Sequence, residues 1–224
     1  MCIDRNEATR AYKEKIFDEA RGQFDADTLA AMKEELDSPC TEELAILDRL
    51  ADFTDNSEFD VVVFDTAPSG HTLRLSEFPF DCDKQEQMMF GSGEGTAIRQ
   101  RTRWRFESLI RRLKDPNTTL FTLVLTPDET SMTETHQMFL DLESSGIKVG
   151  LVVVNQLLKN SSRADTSYQS RGQMQRRFLA KMPLCFQCPL AAMPLLREKV
   201  DGLSHLKEAA ECFFAWGAED MRDA

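Results

Sequence analysis

Asp65 closes a short apolar run, Val61, Val62, Val63 and Phe64, and opens a turn-rich stretch, Thr66-Ala67-Pro68-Ser69-Gly70-His71. The run reads as a buried strand over 60–65. A carboxylate at the carboxyl end of such a strand is placed to hold Mg²⁺ against a nucleotide phosphate. A glycine just beyond it admits backbone angles that a moving segment uses. The companion of that chemistry, a G-x-x-x-x-G-K-[ST] loop that cradles phosphates, is found nowhere in the 224 residues. Gly91-x-Gly-x-Gly95 has no lysine and no strand-to-helix setting, so it reads as a loop. Asn155 follows a second apolar run, and a side-chain amide there offers one donor and one acceptor side.

Thiols are the other candidates. Of six cysteines (Cys2, Cys40, Cys82, Cys185, Cys188 and Cys212), only Cys185 and Cys188 have close ligand spacing. One C-x-x-C supplies two of zinc's usual four ligands, so either two chains about a twofold axis share an ion or these are two incidental thiols. Cys40 follows Pro39 at a predicted helix start, a setting that favours thiolate; the alternative is a small buried residue.

The elements that must position these residues follow from periodicity. Residues 7–36 read as one charged helical run, broken at Asp37-Ser38-Pro39, and a second helix covers about 41–53 with Ser38 or Thr41 as its cap. Residues 76–98 read as loop, and 96–114 as a helix rich in arginine, from Arg99 to Arg112. Such a run reads as a solvated face or a contact for an acidic partner surface. A strand over 120–125 is closed by Pro127. An amphipathic helix over 129–144 has Met132, Met138, Phe139 and Leu142 as core candidates, with Gly146 at its C-terminal cap. A third strand covers 149–154. Helices are expected over 173–181 and 203–216, with Pro183, Pro189 and Pro194 punctuating the stretch between. Buried strands alternating with helices argue for an α/β domain with a mainly parallel sheet, whose ligands sit at the carboxyl ends of the strands. Asp65, Thr126 and Asn155 are expected on that rim.

Composition narrows the class. Hydrophobic residues make up 42% and charged residues 29%, enough apolar content for a globular core. No apolar run approaches the roughly 20 residues of a membrane helix, and the N-terminus has no apolar signal core. A net charge of −11 disfavours nucleic acid and anionic lipid as partners.

Asp65–Leu75, DTAPSGHTLRL, resembles the D-T-A-P-[TS]-G-H-T-x-R signature of the arsenite-pump-driving ATPases and their relatives that target tail-anchored membrane proteins. SPCTEELA at 38–45, TPDETSMTET at 126–135, VVVNQLL at 152–158 and PLLREKVDGLSHL at 194–206 are similar to further family segments in the same order. The resemblance implies a parallel-sheet P-loop NTPase-like α/β fold over 1–224, with 76–114 as a loop and helical insertion. Its first strand, P-loop and switch I would belong before residue 1, making the domain N-terminally truncated. It implies that Asp65 is linked to Mg²⁺ and that Gly70 and His71 belong to a moving switch. It further implies that Asn155 contacts the adenine of ATP, beneath a loop containing Pro194 and Leu195. In the arsenite branch Cys40 would be a ligand for As(III) or Sb(III), with Cys82 as a second. The targeting branch shares a zinc across a dimer, the role Cys185 and Cys188 would take.

The expected activity is part of an ATPase coupling hydrolysis to arsenite or anion efflux, the isolated chain being inactive for want of a P-loop. Tail-anchored protein targeting and a non-catalytic partner subunit are the alternatives. Expected partners are a second ATPase half or an identical chain, and a membrane efflux protein or a tail-anchored client. The expected location is the cytoplasm, peripheral to a membrane through a partner.

Overall fold

A computed structural model of the chain describes residues 4–21, 24–37, 39–55, 58–65, 97–158 and 166–215. They divide into two compact units, Met1–Leu113 and Lys114–Ala224.

The first unit is helical: α1 (Arg5–Ala20), α2 (Ala26–Glu35), α3 (Pro39–Asp55) and α4 (Ala97–Lys114). Asp4 caps α1 by accepting from the Asn6 and Glu7 amides at 2.8 and 3.2 Å. Ala8, Tyr12, Ile16 and Ala20 recur every fourth residue along α1 and bury one stripe. That stripe shares a core with Met32, Leu36, Leu44, Ala45 and Phe106. The single helical run expected over 7–36 is in fact two helices. The break falls where the sequence supplies Gly22, a poor helix residue, and Asp25, whose carbonyl accepts the Leu29 amide as α2 begins. α3 begins at Pro39, a residue suited to a first helical turn.

Charged residues join three of these helices. Asp48, buried on α3, pairs with Lys15 of α1 at 3.0 Å and with Arg105 of α4 at 3.4 Å. Arg105 also pairs with Asp52, and Arg112 with Asp55 at 2.9 Å.

The strand expected over 60–65 does not form. Residues 61–65 are extended but unpaired among the described residues, with Val61 and Val63 78% and 87% exposed. A strand is made by its neighbour's ladder, and apolar composition alone does not supply one. Phe64 lies against Phe53, ring centroids 6.4 Å apart.

The second unit is built on a sheet of β1 (Phe121–Leu125), β2 (Val149–Leu157), β3 (Leu190–Pro194) and β4 (Phe214–Ala215), in that spatial order. The first three strands are parallel and β4 is antiparallel to β3. The connections contain α5 (Glu129–Ser144), then α6 (Thr166–Leu179) and α7 (Met182–Cys185), then α8 (Gly202–Glu211). β1 alternates, with Leu123 and Leu125 buried and Thr122 and Val124 exposed, while β2 buries Val152, Val153 and Val154 in succession. α5 packs on β1 and β2 through Met132, Thr135, Phe139 and Leu142.

Three expectations shift here. β3 was not anticipated: Pro189 and Pro194 bracket it, yet the Pro189 carbonyl still accepts the Val152 amide at 3.0 Å. α6 begins at Thr166 rather than near 173. The last helix stops at Glu211, because Phe214 and Ala215 pair with β3.

The end of α5 is as the sequence implies. Ile147 donates to the Leu142 carbonyl at 2.9 Å and Gly146 to the Glu143 carbonyl at 3.0 Å, with Gly146 at φ 77°. A Cβ at 146 would meet only Lys114 Nζ, at 3.8 Å, so substitution there tests the backbone alone. Gly146→Ala is expected to lower unfolding free energy by about 1 kcal/mol, read from the urea midpoint at unchanged m-value.

Candidate functional site

Parallel strands bring their carboxyl ends to one rim. Leu125 is paired with Val154, so Thr126 and Asn155 are the next residues on adjacent strands. Pro194 ends β3 opposite Leu157, and the Leu195 amide donates to the Leu157 carbonyl at 2.8 Å. Thr126, Asn155, Pro194 and Leu195 therefore share this rim, where the spacing had placed Thr126 and Asn155 together with Asp65. Leu195 is 50% exposed there and Asn155 is half-buried.

Asn155 is not past the strand end but inside β2, at an irregularity. The β2–β3 register shifts between Val154 and Leu157. Gln156 takes φ 59°, alone among the described non-glycine residues in having a positive φ. A left-handed residue with a side chain costs roughly 1–2 kcal/mol and persists where its surroundings impose it. Two side chains do so here. Asn155 Oδ1 accepts the Gln156 amide at 2.9 Å. From α6, Gln175 Oε1 accepts the Leu158 amide at 2.9 Å and Gln175 Nε2 donates to the Gln156 carbonyl at 3.3 Å. Asn155 Nδ2 makes no hydrogen bond among the described residues, which leaves it a donor for a ligand.

On the β1 side, Pro127 and Asp128 turn the chain into α5. Asp128 Oδ1 accepts the Ser131 amide at 2.9 Å, Ser131 Oγ accepts the Thr126 amide at 3.1 Å, and Thr126 Oγ1 donates to Asp128 Oδ2. The Ser131 amide first, and the Thr126 hydroxyl next, hold the Asp128 carboxyl below the usual carboxylate range.

The remaining candidates belong to the first unit, to other parts of the second unit, or to residues outside those described. Asp65 is the exposed last residue of its segment and belongs to the first unit, while Asn155 belongs to the second. Gly70, His71 and Cys82 lie outside the described residues, as does the Cys40 side chain; the Cys40 backbone is in the first turn of α3. Cys185 ends α7 and Cys188 lies in the turn before β3, both free and half-buried. Burial, and then the Glu143 carboxylate, push the Cys188 thiol up. Among the described residues no three of His, Cys, Asp and Glu gather as a metal site, and no helix is long and apolar enough to cross a membrane.

Sequence reasoning did not single out Gln156, Gln175 or Asp128. For Gln175 a signal existed: it stands on the inward stripe of α6, four residues before buried Leu179, where the period asks for an apolar side chain.

Asp128 generates a pH prediction. Its carboxyl titrates lower folded than unfolded, so its contribution is complete above about pH 4 and is lost as pH falls through the folded value. Asp128→Ala is expected to cost about 1 kcal/mol at pH 7 as a lost helix cap. The gap from wild type should shrink in urea melts below about pH 4; a gap constant with pH would contradict the ionised cap.

The sequence pattern of the family described as "Anion-transporting ATPase" matches residues 1–100 and 88–215. The "Putative arsenical pump-driving ATPase" of Halobacterium salinarum is 33% identical over 217 residues, covering 92% of this chain and 33% of its own length. An "Arsenical pump-driving ATPase" of Escherichia coli is 28% identical, covering 86% of this chain and 34% of its own. "ATPase asna-1" of Caenorhabditis elegans is 32% identical, covering 66% and 52%. The chain thus spans about a third of the length of the two arsenical relatives and about half that of the third. With matched segments on both sides of the Asp65 signature and across the Asn155 rim, the chain belongs to the anion-transporting ATPase family.

Proposed function

We propose that this chain contributes the base-side part of an ATP site, and that the intact ATPase couples hydrolysis to efflux of arsenite or a related anion. The observation carrying the reading is the rim itself. An unpaired amide donor on Asn155 lies beside an exposed leucine that follows a strand-ending proline, which suits a flat heterocycle with an acceptor on its edge. The phosphate-cradling loop is not among these residues and would come from outside them. Mg²⁺ would neutralise charge developing on the transferred phosphoryl group; Asp65, an exposed carboxylate, fits a contact to it through water. Gly70 and His71 would carry the resulting movement. Cys40 and Cys82 would bind As(III), a soft ion that favours thiolates. A zinc at Cys185 and Cys188 would need two further ligands, which a second copy of the chain would supply.

Efflux is preferred over tail-anchored targeting because the relatives named for arsenical pumping match 92% and 86% of the chain, against 66% for the asna-1 relative. A second ATPase half or an identical chain is the proposed partner, and the cytoplasm the proposed location.

Titration calorimetry with ATP and with ribose 5-triphosphate, which has no base, tests the base side. Asn155→Ala should weaken ATP about tenfold, the worth of one hydrogen bond in a half-buried site, while leaving ribose triphosphate nearly unchanged. Equal affinities before and after substitution would remove the base-side reading. In the intact ATPase, arsenite should stimulate ATP turnover in the wild type and fail to do so in Cys40→Ser. Stimulation that survives in Cys40→Ser would remove Cys40 as a ligand.

A further inference from the structure

We infer that Gln175 is a positioning residue for the base rim, acting through the backbone of Gln156 and Leu158 to hold Asn155 in its binding conformation. The inference rests on the base-side reading above. β1 pairs with β2 only as far as Val154, and the β2–β3 register breaks until Leu157, so Asn155 and Gln156 have no strand partners to fix them. The conformation there is nonetheless defined, with Gln156 left-handed. Gln175 meets the backbone on both sides of Leu157, donating to the Gln156 carbonyl and accepting the Leu158 amide.

Few side chains can do both. A primary amide has donor and acceptor on one rigid plane; a carboxylate at this position would only accept, and an aliphatic chain would do neither. Gln175 is 7% exposed, at a position where an apolar side chain would bury at lower cost. Its two hydrogen bonds offset that cost, one to the Gln156 carbonyl in the bulge that carries Asn155 and one to the Leu158 amide just beyond it. With Gln156 held left-handed, its amide is taken by Asn155 Oδ1, and Nδ2 is the part of that side chain left for a ligand. Gln175 thus acts at a distance: it orients the base contact without a place at the base.

The test uses the 224-residue chain with Gln175→Leu, Gln175→Glu, Asn155→Ala and a packing control, Leu179→Ala, on the same face of α6. Two quantities are read: the ratio of ATP to base-less ribose 5-triphosphate affinity, and amide hydrogen exchange at Leu158 relative to Val152–Val154. Gln175→Leu should lose about tenfold in the affinity ratio, as Asn155→Ala does, and expose the Leu158 amide at least tenfold relative to the strand core. Gln175→Glu, which keeps only the acceptor, should protect Leu158 yet lose part of the ratio, and it stands in if the leucine variant fails to fold. Leu179→Ala should lower the melting temperature and keep the ratio. An unchanged ratio in both Gln175 variants, or an equal loss in Leu179→Ala, would overturn the inference. If Asn155→Ala itself leaves the ratio unchanged, the base-side reading falls and this inference with it. If Asn155→Ala lowers the ratio while the Gln175 variants keep it, only the role of Gln175 falls.

Discussion

Backbone groups at the carboxyl end of β2 must find partners that β1 cannot provide. β1 stops at Leu125, and Pro127, two residues on, has no amide to extend its ladder. Partly buried amides and carbonyls left unpaired carry a desolvation cost, so the overhang recruits what lies near. Asn155 covers the Gln156 amide, Gln175 covers the Gln156 carbonyl and the Leu158 amide, and Leu195 donates to the Leu157 carbonyl. The same accounting that satisfies the strand end also assembles the rim. Three sequence-distant stretches, β2, α6 and the turn after β3, meet there because each closes one open valence of the backbone.

Much of the second unit was legible in the sequence, and the reasons are particular. β1 and α5 announce themselves because Pro127 and Gly146 mark their limits chemically and the intervening residues keep the helical period. β3 was illegible: Leu-Ala-Ala-Met-Pro is short, lacks β-branched residues and lies between prolines, and only the ladder from β2 makes it a strand. The run at 61–64 fails in the opposite way, with the composition of a strand and no ladder among the described residues. At the site, strand spacing alone brought Thr126 and Asn155 together, while Pro194 and Leu195 needed the family resemblance. Gln175 was hidden because its partners are main-chain atoms, which leave no imprint on side-chain pattern.

The helical unit shows why a basic stretch need not advertise an acidic partner. Asp48, Asp52 and Asp55 lie four and three residues apart on one face of α3, and Arg105 and Arg112 reach them from α4. The Arg112 guanidinium also donates to the Thr54 carbonyl at 2.8 Å, at the end of α3 where carbonyls lack helical partners. Lys15 completes the set from α1. Part of the arginine content in this acidic chain is therefore neutralised within its own unit, which weakens the case for an external acidic surface. Because Asp48 is buried between two cations, loss of either cation leaves the carboxylate the other, whereas loss of Asp48 leaves Arg105 only Asp52 and takes the partner of Lys15.

The outer side of β1 is bare among the described residues, and beside it Leu120 and Val124 are 66% and 59% exposed. Such an edge is a template for another strand. The chain's net charge of −11 then acts as a colloidal safeguard. Its reach is set by salt, shrinking to about 8 Å at physiological ionic strength. Solubility of this polypeptide is thus a contest between long-range repulsion and a short-range adhesive seam, decided by the electrolyte and by how quickly the seam is covered after synthesis.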